Sequence, residues 1–350
     1  MSDDQDLLLP DYPQVFGSGI IGVCDVCGTR QAVIVLQKER FKLCVLDFLN
    51  KSWLTTTSKP GAPLPAYRSD RIWFDTAVSK SGHSSAILLT PTKVVRHPTV
   101  LITPDVYGVT TVLLDAAIRF AKDGYEVLIP EVNKTPGVGF PEHFATRAGA
   151  YMGGGVPLRS ARTRKLVIYF QDALNCLRTR PLADPEKTAV FGVGFSGSLA
   201  LGVAGEEQKL SAVVLAYPMP VRPSGYAELV TAPVLFVDAG RDGPSRRSRH
   251  SFESRATQVS SPVEYADFPD ARRNFLSRDL GAYDLPLAEA AWGRIQAFLK
   301  SRLQPPPPKP PAPPKTVAPP AAAAPPAVPK PGPTPAAASA AAPAPPVATG

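Results

Sequence analysis

Between residues 67 and 303 the chain alternates short apolar runs with segments of helical periodicity, and this rhythm limits the fold more than any other feature. Residues 99–103 (TVLIT), 125–130 (YEVLIP), 189–195 (AVFGVGF), 212–216, 234–237 and 263–265 read as strands. Residues 112–122 (VLLDAAIRFAK) carry apolar positions at helical spacing, with Gly124 as the expected stop. Helices are also predicted over 162–178 and 287–299, and another begins at 199–204. Residues 71–78 and 85–90 read as a hairpin around Lys80-Ser81-Gly82. Fully apolar strands separated by helices imply an α/β fold, with a mainly parallel sheet flanked by helices on both faces. In such sheets functional groups collect at the carboxyl ends of strands. Three such ends stand out: Ser196, the turn 238–242, and the segment after Tyr265.

Composition separates the rest of the chain from this core. Of 41 prolines, 19 fall within 301–350. That Pro/Ala stretch has no aromatic residue, so it cannot bury enough surface to offset its ordering entropy. Its runs favour extended polyproline II, as a flexible spacer or as a ligand for an aromatic-lined groove on a protein partner. The net charge is +8, of which Arg302, Lys309, Lys315 and Lys330 in the tail supply half. The remainder is only mildly basic, and its densest cluster, 241–249 (RDGPSRRSR), reads as a solvated loop. The start, MSDDQDLLLPDYP, lacks the basic-then-apolar order of a signal peptide, and no run is long and apolar enough to span a membrane. The expectation is a cytoplasmic, soluble protein.

Three of the four cysteines lie within 21 positions, as Cys24-x2-Cys27-x16-Cys44-x2-Asp47. Gly28 suits a tight knuckle after the first pair, residues 32–37 alternate like a strand, and residues 45–54 read as a helix. Two thiolates on a turn and a third at a helix start can wrap one tetrahedral zinc, in the manner of a treble clef. Asp47 is the fourth candidate ligand, because no histidine precedes His83. Such a closed site is structural rather than catalytic. A redox pair or unrelated buried cysteines are the alternatives, and Cys176 reads as core. Lys38, Arg40 and Lys42 are balanced by Asp25, Glu39 and Asp47, which argues against a nucleic-acid role for this module. The predicted organisation is a lead at 1–17, a zinc-finger module at 18–56, a linker at 57–66, the α/β domain at 67–303 and a disordered tail at 304–350.

The order of several stretches in the domain resembles the dienelactone hydrolase family of the α/β-hydrolase fold. The stretches are 97–107 (HPTVLITPDVY), 118–130 (IRFAKDGYEVLIP), 189–201 (AVFGVGFSGSLAL), 233–242 (PVLFVDAGRD) and 263–275 (VEYADFPDARRNF). The resemblance implies an ester or lactone hydrolase. It places Asp105 where the family carries a glutamate and Ser196 at the nucleophile of a Gly-x-Cys-x-Gly-Gly elbow. Asp242 falls at the acid, and Arg273 at the position of the catalytic histidine. A guanidinium stays protonated and cannot accept the proton of a serine, but it can pair with Asp242. The reading is therefore a hydrolase-fold protein with impaired catalysis, used for binding a protein partner or a small ester or lactone. The alternative is an active hydrolase in which His143 or His250 serves Ser196 as a displaced base.

Overall fold

The computed structural model describes residues 66–104, 106–138, 156–255 and 261–304, Gly332, and the backbone of five short strands between Gln14 and Leu43. Among those five, Gln14–Val15, Ile34–Leu36 and Phe41–Leu43 form one antiparallel sheet, and Gly22–Val23 pairs with Gln31–Ala32.

The main sheet has eight strands: β1 Tyr67–Asp75, β2 His83–Pro91, β3 His97–Ile102, β4 Glu126–Pro130, β5 Ala183–Val193, β6 Ala212–Ala216, β7 Val234–Ala239 and β8 Val263–Phe268. Their order is β1-β2-β4-β3-β5-β6-β7-β8. The β1–β2 and β2–β4 pairings are antiparallel, and the rest are parallel. Among the described residues five α-helices accompany it: α1 Thr111–Lys122, α2 Ala161–Arg178, α3 Phe195–Glu206, α4 Gly243–Glu253 and α5 Leu285–Leu303.

Alternation along each strand divides the core between the two faces. Val100, Ile102, Phe191, Val214 and Val237 pack with α1 and α5 through Leu113, Phe120, Trp292 and Ile295. Leu101, Val190, Val213, Leu215 and Phe236 face the other way, onto Phe170 of α2, Leu199 of α3 and Phe252 of α4. Where these strands are covered on both sides, at 100–102, 127–129, 189–193, 212–216 and 234–237, they carry no polar side chain, and this made them readable.

The elements predicted for the α/β domain are present with shifted ends, and the helix predicted over 45–54 lies outside the described residues. The β5 strand begins at Ala183 rather than 189, and α3 begins at Phe195 rather than 199. The segment 241–249 differs more, since most of it is helix α4 rather than a loop. Asp242 caps that helix by accepting the Ser245 amide, Pro244 stands in its first turn, and Ser245, Ser248 and Phe252 are buried. Its inward face is made largely of serines, so it shows little apolar periodicity. No helix among the described residues is long and apolar enough to cross a membrane.

Candidate functional site

The turn from β5 into α3 is tight. Gly194 occupies it with φ +60° and ψ −121°, a conformation that L side chains rarely adopt, and its amide donates to the Ala216 carbonyl at 2.9 Å. Two residues earlier the helix presses on the strand. A Cβ on Gly192 would stand 2.5 Å from the Ser196 carbonyl oxygen and 2.7 Å from Thr103 Oγ1. The Thr103 hydroxyl lies within hydrogen-bond reach of the Ser196 and Phe191 carbonyls, which ties the end of β3 to this turn.

Ser196 lies inside the first turn of α3 and is fully buried. Its Oγ accepts the Val193 amide at 2.9 Å and donates to the Val193 carbonyl at 3.0 Å. The hydroxyl therefore closes the turn internally. The next serine, Ser198, is equally buried and donates to the Met219 carbonyl at 2.8 Å.

Asp242 and Arg273 do meet. Arg273 donates from Nε to Asp242 Oδ1 at 3.2 Å and from Nη2 to Oδ2 at 2.8 Å, a two-point fork on a buried carboxylate. The third nitrogen, Nη1, lies 3.5 Å from where a Cβ on Gly194 would stand. Asp242 is fixed from the far side by its role as the cap of α4. Backbone strain gathers nearby. Asn274 has φ +66°, and Tyr217, just after β6, has φ +35° with its ring 5.7 Å from that of Phe275. Strain of this kind persists where surrounding packing over-determines it, which is common at sites that bind or react.

The fold and this cluster of strand ends define an α/β-hydrolase-type domain. Residues 85–303 match the dienelactone hydrolase family, and the chain belongs to it. It is similar to a Synechocystis sp. (strain ATCC 27184 / PCC 6803 / Kazusa) protein named for carboxymethylenebutenolidase activity, at 21% identity over 62% of this chain and 91% of that one. A Bradyrhizobium sp. protein named as a 2-oxo-3-(5-oxofuran-2-ylidene)propanoate lactonase is 23% identical over 66% of this chain and 94% of its own length. A crystal structure from Klebsiella pneumoniae subsp. pneumoniae MGH 78578, titled as a dienelactone hydrolase, superposes with a TM-score of 0.54 at 18% identity. That superposition covers 66% of this chain and 98% of the other and speaks for the fold.

The family's Gly-x-Cys-x-Gly-Gly elbow fits Gly192-Val193-Gly194-Phe195-Ser196-Gly197 with the strained position at Gly194. By sequence the nucleophile falls at Ser196, whereas the turn's positive-φ position lies two residues earlier, at Gly194. The signal was in the sequence, since Gly197 is the second glycine of the pair and Ser196 replaces the first. Of the histidines, His250 is exposed on α4 and His97 is buried at the start of β3, between the Gly124 and Lys93 carbonyls. Asp105, His143, Cys24, Cys27, Cys44 and Asp47 lie outside the described residues. Among the described residues, no three of His, Cys, Asp and Glu are grouped to hold a metal ion. Cys176 is half-buried against the core on α2, and burial pushes its thiol up.

Proposed function

We propose that this chain is a non-hydrolysing member of the dienelactone hydrolase family, acting as a binding or scaffold protein. One observation carries the reading: the strained elbow residue is Gly194, and the Arg273 guanidinium, held by Asp242, faces it. Hydrolysis by this family's logic needs a nucleophile on the elbow and a base that can take its proton. Gly194 has no side chain, and arginine does not give up its proton in proteins. Of the two serine hydroxyls in the first turn of α3, Ser196 is spent on Val193 and Ser198 on the Met219 carbonyl. The active alternative, with Ser196 as nucleophile, would require α3's first turn to open.

A binding role also agrees with what flanks the domain. Structural zinc on Cys24, Cys27, Cys44 and Asp47 is part of the proposal. The strands ending just before Cys24 and Cys44, Gly22–Val23 and Phe41–Leu43, lie against each other, as a shared ion would require. The module and the Pro-rich tail would serve protein partners, while the strand ends around Gly194 and Arg273 would be where a small ester or lactone is retained as ligand.

A fluorophosphonate probe tests the catalytic half of this reading, because it modifies only activated nucleophiles. Intact-mass measurement after incubation is expected to show unmodified protein. An adduct mapped to Ser196 would sink the proposal.

A further inference from the structure

Strand β1 ends the main sheet, with β2 on one side and, among the described residues, no strand on the other. Two bonds just outside β1 set the phase of its pairing. The Thr76 amide donates to the Gly82 carbonyl at 2.9 Å, and the Thr92 amide donates to the Ala66 carbonyl at 3.0 Å. Between them the register runs unbroken from Tyr67 opposite Pro91 to Asp75 opposite His83. Even-numbered residues therefore bond to β2, and the amides and carbonyls of Arg71, Trp73 and Asp75 point to the open side. Native edge strands are commonly blunted by lysine, proline or a bulge, and β1 (YRSDRIWFD) has none of these. Instead it sets out Trp73, 65% exposed, beside the exposed His83 ring. Arg71 gives Nε and Nη2 to Glu131, which leaves Nη1 for a further acceptor. Asp75 is exposed and has no salt bridge among the described residues.

We infer that this edge pairs antiparallel with the same edge of a second copy, about a two-fold axis at Trp73, so that the sheet continues through a homodimer. Self-complementarity carries the inference. An axis at Trp73 sets the two Trp73 side chains opposite each other, Arg71 opposite Asp75 of the second copy, and Ile72 opposite Phe74 of the second copy. Aromatic with aromatic, cation with anion and aliphatic with aromatic are each favourable cross-strand pairs. The same axis matches residues whose amides and carbonyls are turned outward, as a ladder needs. Neighbouring registers lose this. An axis at Arg71 sets like charges against each other, and one at Ile72 sets Asp70 against Phe74 and Asp75 against Ser69. An unrelated extended peptide would bond to the edge through its backbone, but it would not call for Arg71, Trp73 and Asp75 at this spacing. Three strands separate β1 from β5 and its turn, so the inference is independent of whether the domain hydrolyses.

Sedimentation velocity of the full chain over a dilution series tests it. A dimer that dissociates on dilution is expected. Trp73→Lys sets like charges against each other at the axis, and Asp75→Arg sets them against Arg71, so each should raise the dissociation constant by about tenfold or more. Val94→Lys adds the same charge as Trp73→Lys at another exposed position and should leave it within about twofold. Trp73 and Asp75 are exposed, and melting curves should confirm that the variants fold. The register has its own readout, which does not depend on those variants. The two Trp73 Cα atoms would lie about 5.5 Å apart, so Trp73→Cys under mild oxidation should give a disulfide joining two copies at that position in peptide mapping. A chain that stays monomeric overturns the inference. So does a dimer untouched by Trp73→Lys, equal weakening by Val94→Lys, or a dimeric Trp73→Cys variant without that cross-link.

Discussion

Two buried carboxylates bracket strand β4 and behave in opposite ways. At its far end, Glu131 accepts Arg71 through a two-point fork, Lys134 at 2.7 Å and the Ser85 hydroxyl at 2.8 Å. Burial alone would push its carboxyl up, but Lys134, Arg71 and Ser85 together outweigh this and hold it below its ordinary value. At the near end, burial pushes Glu126 up, against a single hydrogen bond from Thr90 and more distant cations. The signs of the pH dependence follow. Glu131 contributes stability above the ordinary carboxylate range and loses it as pH falls through its lowered value. Glu126 costs stability as pH rises through its raised value. Glu131→Gln is expected to lower stability by about 1–3 kcal/mol at pH 7, with the deficit shrinking in acid. Glu126→Gln is expected to be neutral or stabilising at pH 7, since its amide oxygen can still accept from Thr90. Urea denaturation at two pH values measures both, and a clear loss from Glu126→Gln would contradict the assignment.

At the scale of elements, the buried parallel strands and α1, α2 and α5 were legible because their apolar patterns are long and uninterrupted. The end of β5 and the start of α3 were not, because Gly-rich turns carry no periodicity and close packing shows only in three dimensions. The same limit displaced the nucleophile slot from Gly194 to Ser196. The pairing of Asp242 with Arg273 needed no coordinates, since opposite charges fell at the acid and histidine positions of one site. Helix α4 was hidden for another reason: serines, not aliphatic residues, face its core. Two glycine substitutions separate the forces in the elbow. Gly192→Ala should cost several kcal/mol or block folding, because its Cβ would meet the Ser196 backbone at 2.5 Å. Gly194→Ala meets nothing closer than Arg273 Nη1 at 3.5 Å and should cost only the conformational term, roughly 1–3 kcal/mol. Thermal melts of equal severity for the two variants would contradict this division.

At the scale of the whole molecule, a hydrolase-family domain lies between a cysteine-bearing segment and a Pro/Ala stretch. Elemental analysis of protein purified under reducing conditions is expected to find about one zinc per chain. Retention should fall further in Cys24→Ala than in Asp47→Ala, since thiolates dominate such sites. Metal-free, folded protein would remove zinc from the proposal. The central claim, that the elbow no longer supports hydrolysis, is tested most directly by aryl-ester turnover of the natural chain beside Ser196→Ala. Removing this hydroxyl leaves the Val193 amide and carbonyl without their side-chain partner, so the variant should melt lower while its rate stays at that of the natural chain. Expected for both proteins is turnover close to the protein-free background; brisk turnover by the natural chain that Ser196→Ala abolishes would contradict it.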